Sequence, residues 1–128
     1  MNIKFVSRSR GVFLGLLFSF FLNNTHSAWS HSFPDHSDPR VGWELKNSPT
    51  EVKIWFDVAI EPLFSTIEVF DSNHIKVDKG DSHVDPNNSL LLIVSVPQLQ
   101  KGRYEVHWSV ISIDTHHTEG IFKFSIGE

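Results

Sequence analysis

The chain has 128 residues, with 11 Lys and Arg against 15 Asp and Glu, 8 His, no Cys and one Met. That length excludes two ordinary domains, and a net charge of −4 is unlike a nucleic-acid-binding surface. The absence of cysteine excludes disulfides, zinc–thiolate sites, iron–sulfur clusters and thiol nucleophiles together. The only methionine is Met1, so a thioether cluster for Cu(I) is excluded as well.

Residues 1–30 read as a secretory signal peptide rather than as part of a fold. Lys4, Arg8 and Arg10 form a positive start, Gly11 to Leu22 is a 12-residue apolar run, and Asn23 to Ser30 is a polar tail. The run is shorter than the ~20 apolar residues needed to span a bilayer. Ala28 and Ser30 put small residues at −3 and −1 for cleavage before His31. Cutting after Ala28 would instead place the bulky His26 at −3. The expected domain is therefore 31–128, with 8 basic against 15 acidic residues. That balance disfavours anionic partners and mildly favours cations. A chain of this size buries enough surface for one core without cross-links.

From Glu51 onward the apolar period is two. Val52, Ile54 and Phe56 alternate with Glu51, Lys53 and Asp57, as in a strand with one buried face. Ile67 and Val69 lead into the turn cluster Asp71-Ser72-Asn73. Residues 78–88 read as a polar loop. Leu90, Leu92, Val94 and Val96 alternate with Leu91, Ile93 and Ser95 until Pro97 stops the ladder. After a Lys101-Gly102 turn, Tyr104, Val106, Trp108 and Val110 mark another strand, and Phe122, Phe124 and Ile126 the last. With no helical stripe, repeat or linker, the pattern predicts a single all-β domain, an antiparallel Ig-like β-sandwich of Greek-key type.

One constellation carries chemistry. As a mature N-terminus, His31 offers a free amine that can lose its proton to a metal, and its imidazole closes a chelate with that amine. Asp114-Thr115-His116 is a D-x-H triplet. On an extended chain its outer members share a face roughly 6.6 Å apart, at about 3.3 Å per residue. Amine, two imidazoles and a carboxylate suit a tetragonal Cu(II) ion. The triplet alone is equally what a solvated loop contains, and a chain end alone is usually disordered.

The 30–125 region resembles the CopC-type periplasmic copper-binding, or copper resistance, proteins. The residues that carry the likeness are His31 after the cleavage site and Ser37-Asp38-Pro39-Arg40-Val41-Gly42. They continue with Val52-Lys53-Ile54-Trp55-Phe56 and Glu61-Pro62-Leu63-Phe64-Ser65. The longest match runs from Gly102 through Tyr104, Val106, Trp108, Val110, Ser112, Asp114 and His116 to Gly120, Phe122 and Phe124. The resemblance implies one Cu(II) per chain, held by His31, Asp114 and His116. It also implies a copper carrier or buffer in the periplasm rather than an enzyme, and a CopD-like inner-membrane copper transporter as partner. A monomer is expected, with no nucleic-acid partner and no membrane insertion once the leader is removed.

The chain departs from the family pattern in three places. Val58 stands where some members carry a carboxylate, and the neighbouring Asp57 would face away on an extended strand. The Met-rich Cu(I) site is missing. His117 replaces a usual Pro and is open to a supporting role, to serving as an alternative ligand, or to a surface role. His36 lies in the N-terminal arm, His74 in a turn, His83 in the polar loop, and His107 on the face opposite the core residue Trp108. Two other function classes compete: a histidine-brace copper oxidoreductase of the polysaccharide monooxygenase type, which would need an open coordination position, and a structural or adhesive sandwich with an incidental metal site.

Overall fold

The computed structural model of the protein describes residues 31–127; the expected leader and its cleavage point lie outside them. Eight strands form two four-stranded sheets. The first has the order β1 (Pro34–Asp38), β3 (Glu51–Phe56), β6 (Asn88–Ser95), β5 (His83–Asp85), and the second β2 (Glu44–Leu45), β8 (His117–Ile126), β7 (Gly102–Ile111), β4 (Thr66–Asp71). The chain changes sheet at most connections, and only β5–β6 and β7–β8 pair as consecutive neighbours within one sheet. The expected sandwich is thus present, with one departure from all-antiparallel pairing. The two-residue β2 runs parallel to the end of β8, through Glu44 opposite Ser125 and Leu45 opposite Ile126.

The core forms where period-two apolar residues of the two sheets face each other. Val52, Ile54 and Phe56 of β3 and Leu92 and Val94 of β6 meet Ile67 and Val69 of β4, Val106 and Val110 of β7 and Phe124 of β8, all buried. Trp108 closes one end of this core, with its ring edge to face on Phe56 at a 5.5 Å centroid distance. Gly120 lies directly across from Trp108 on β8, and a Cβ there would stand 2.6 Å from Trp108 Cζ2. The missing side chain is what lets the indole lie over the neighbouring strand.

Two sequence expectations are corrected. The polar loop 78–88 contains a strand, since His83–Asp85 pair with β6 as the edge of the first sheet. Polar side chains are compatible with such an edge, so composition alone concealed it. Residues 34–38, expected to be a loose arm, form β1 against β3. Strand β6 is buried on both faces, because Trp55 stands opposite Leu91 on the outer side and His36 stacks on Trp55 at 4.4 Å.

Candidate metal centre

Strands β7 and β8 pair without a break over ten positions, from Gly102 opposite Ile126 to Ile111 opposite His117. The residues joining them, 112–116, form a tight loop at the tip of this ribbon. Thr115 adopts φ 75°, its N–H donates to Ser112 O at 2.8 Å, and Ser112 N–H donates to His116 O at 2.9 Å. Asp114 and His116 therefore do not lie on an extended strand, as the spacing suggested. They are brought to the same side by a turn, and His116 Nδ1 lies 3.1 Å from Asp114 Oδ1.

Ser112 organises this loop. Its buried hydroxyl donates a short hydrogen bond to Asp114 Oδ1 and also reaches His116 O at 3.2 Å. The bond from Ser112 is the main cause of the Asp114 carboxyl lying below the usual carboxylate range. Desolvation opposes that bond, and the side chain and backbone N–H of His116 add lesser contributions that lower it further. Asp114 thus remains an anion into mild acid.

His31 reaches the loop from the start of the described chain. Its imidazole meets that of His116 edge to face, with centroids 4.8 Å apart and planes at 70°. The arm behind it is anchored at two residues. Buried Ser32 donates its hydroxyl to Val58 O at 2.6 Å and accepts Thr118 Oγ1–H on its carbonyl at 2.6 Å. Phe33 N–H donates to Asp57 Oδ1 at 2.8 Å, and Asp57 N–H returns a bond to Phe33 O at 3.0 Å. Asp57, set aside as a ligand on grounds of strand geometry, is engaged as a clamp on the arm.

The remaining histidines lie elsewhere. His117 Nε2 pairs with Ser109 Oγ at 2.8 Å along the outer face of β7–β8. His36 is stacked on Trp55 and hydrogen-bonded to the Asp35 carboxylate. His107 pairs with Glu105 and tilts on Phe70 at 4.7 Å, beside an open cleft of about 410 Å³ lined by Thr66, Glu68, Ser109 and Glu119. His74 occupies a turn at φ 59°, and His83 caps Asp81 O. The structure thus sets the His31 ring against His116 and places Asp114 beside His116, while His36, His83, His107 and His117 have other partners.

The donor set is nitrogen and oxygen only, which fits Cu(II) and similar borderline cations and offers nothing to a soft Cu(I) ion. Among the described residues, no three His, Asp or Glu side chains form a ready-made cage. The arrangement is a histidine pair with a carboxylate held to one side by Ser112. Sequence reasoning missed the supporting residues Ser32, Asp57, Ser112 and Thr118. Ser112 alone left a signal, since it shares the parity of Asp114 and His116 in the S-x-D-x-H string.

This sandwich, with a histidine arm laid across the tip of its longest hairpin, has clear relatives. The CopC domain family profile matches residues 35–127. The crystal structure of CopC from Methylosinus trichosporium OB3b superposes with a TM-score of 0.67 at 31% identity, covering 75% of this chain and 93% of that one. PcoC, a methionine-rich copper resistance protein from Escherichia coli, superposes at 0.66 over 77% of this chain and 100% of that one; at 21% identity it speaks to the fold alone. The copper transport protein CutJ of Bacillus subtilis is 32% identical over 124 residues, 96% of this chain, and the chain spans only 23% of that protein's length. Protein YobA of E. coli K12 is 26% identical over 103 residues, 80% of this chain and 83% of that one. The chain belongs to the CopC domain family. No helix of the described residues is long and apolar enough to cross a membrane.

Proposed function

We propose that this protein is a copper-binding module, not an enzyme, that carries or buffers one Cu(II) ion in the periplasm after its leader is removed before His31. The His31 amine and imidazole, His116 and Asp114 hold the cargo, and the ion passes to or from a CopD-like inner-membrane copper transporter. The observation that carries this reading is the edge-to-face meeting of His31 and His116 beside Asp114. Membership of the CopC family supports copper as the cargo, as does the copper transport role named for CutJ. To close around a metal, the Asp114 carboxylate turns from Ser112 toward the imidazoles, and the arm brings in the amine. Four such donors fill a copper plane, which leaves no easy position for oxygen and disfavours the histidine-brace oxidoreductase.

The test is a Cu(II) titration of monomeric protein whose N-terminus is fixed as His31 by mass spectrometry. One tightly bound ion per chain is expected, with nitrogen hyperfine structure in the electron paramagnetic resonance spectrum. An exported chain that begins elsewhere, or equal binding when one residue precedes His31, would refute the ligand set.

A further inference from the structure

We propose that the end of the sandwich bearing His31 and His116 is a protein-docking surface whose partner presents an apolar patch ringed by Lys and Arg. Four large apolar side chains stand exposed at this end: Phe33 at 54%, Leu63 at 86%, Phe64 at 61% and Ile113 at 60%. Backbone pairing gathers them there around residues 57–61. Asp57 N–H donates to Phe33 O, Ile113 N–H to Ala59 O, and Glu61 N–H to Ile111 O. Leu63 and Phe64 follow directly in the short 3-10 turn Pro62–Phe64, which buries none of its residues. Apolar side chains this exposed and this concentrated mark interaction sites.

Charge narrows the partner. Residues 31–39, 54–75, 80–100 and 104–122, which build this end and the strands leading to it, contain no Lys or Arg. The charges beside the apolar residues are the carboxylates Asp57, Glu61 and Asp114. The basic residues gather toward the opposite end, where Lys53 lies opposite Asp38 in strand register, Lys79 N–H bonds Ser95 O and Arg103 lies opposite Ser125. An anionic bilayer is repelled by such an end, and a second copy would set carboxylate against carboxylate. An apolar protein surface with a basic rim complements both features. The proposal rests on the copper reading for its purpose, since docking there would bring the cargo to the interface, but the contact itself is measurable without copper.

The test places a photo-crosslinking phenylalanine analogue at Leu63 or Phe64 of the full chain, expressed with its leader in its own cells. The control position is Val41, 66% exposed near the basic end. Irradiation is expected to give one protein adduct from positions 63 and 64 and none from 41, with the cross-linked peptide flanked by Lys or Arg. Glu61→Lys should cut its yield about tenfold through like-charge repulsion. Adducts to lipid alone, to a second copy alone, equally at Val41, or none at all would overturn the proposal. Cu(II) titration of purified Leu63→Ser/Phe64→Ser separates the two readings. Unchanged copper binding is expected, and loss of binding there would overturn the distinction between docking surface and cargo site. Adduct formation by a protein that fails to bind copper would remove the cargo reading and leave the docking surface standing.

Discussion

The imidazoles of His31 and His116 come from opposite ends of the described chain, yet their centroids lie 4.8 Å apart. Both are only partly buried, so replacing either one changes the site more than the core. His31→Ala and His116→Ala should each weaken Cu(II) binding by more than the 10–100-fold typical of disturbing an outer-sphere partner, with an unchanged melting temperature. Calorimetric titration and thermal unfolding of the same samples check both halves of that statement. Wild-type affinity in either variant contradicts the pairing.

Thr118 holds the arm through its bond to Ser32 O. Thr118→Val removes the bond to Ser32 O, which lies on a fully buried residue. Leaving that carbonyl unsatisfied costs about 1–3 kcal/mol, or a melting-temperature loss of roughly 4–8 °C per kcal/mol for a domain of this size. Because the bond anchors the residue next to His31, copper affinity should fall as well, whereas Thr118→Ser should restore both. A stability loss with no change in affinity would separate the anchor from the site.

Acid should release copper through the nitrogens and not through the carboxylate. Asp114 is held below the usual carboxylate range, chiefly by the Ser112 hydroxyl, and so keeps its charge from neutral pH into mild acid. Its contribution to stability is present above the ordinary carboxylate value and is lost only as pH falls through the lower folded-state value. Protons compete with the cation for nitrogen donors, so affinity should decline as the solution is acidified. Asp114→Asn should weaken binding at every pH and leave the midpoint of that decline where it is. Binding that persists unchanged to pH 4 would contradict nitrogen coordination.

Gly120→Ala should destabilise the sandwich by about 1–3 kcal/mol, the usual cost of overpacking. The new methyl would stand 2.6 Å from a ring carbon of Trp108, whose indole is hemmed in by Phe56 and cannot swing aside cheaply. Denaturant unfolding followed by tryptophan fluorescence would show both the lower midpoint and a shifted Trp108 emission. An unaltered midpoint means the indole has room that the structure does not show.

Tyr104 is the one tyrosine in the chain. Burial raises its ionisation, helped by the Asp71 charge and opposed by its hydrogen bond to Gln100 O. A phenol kept neutral in the folded state binds its proton more tightly there than in the unfolded chain. Stability therefore falls as pH rises past the ordinary tyrosine value near 10. Absorbance at 295 nm should show Tyr104 ionising only with alkaline unfolding, and Tyr104→Phe should flatten this part of the stability profile.

The sandwich was legible because its long strands bury one face each. The buried sides of Glu51–Phe56, Gly102–Ile111 and Phe122–Ile126 are those that the period-two pattern marks. Pieces that lack this periodicity were not legible. Pro34–Asp38 and His83–Asp85 are short edge strands whose side chains are mostly polar, and Glu44–Leu45 is a two-residue strand held by parallel pairing and by Leu45 against the core. The candidate donors His31, Asp114 and His116 could be named from the family string, and the structure makes them neighbours. What brings them together could not be read. It depends on a left-handed Thr115, on the Ser112 hydroxyl and on an aspartate that clasps Phe33, all of them long-range or conformational facts that local spacing does not encode.

The ten-pair ribbon of β7 and β8 makes its tip a stiff platform, while the arm opposite is stitched down by four hydrogen bonds on Ser32 and Phe33. Undoing those stitches would part the two histidines and leave both sheets whole. One jaw of this clasp is therefore fixed by the fold and the other is lightly sprung, so an ion could be let go without any melting of the protein that holds it.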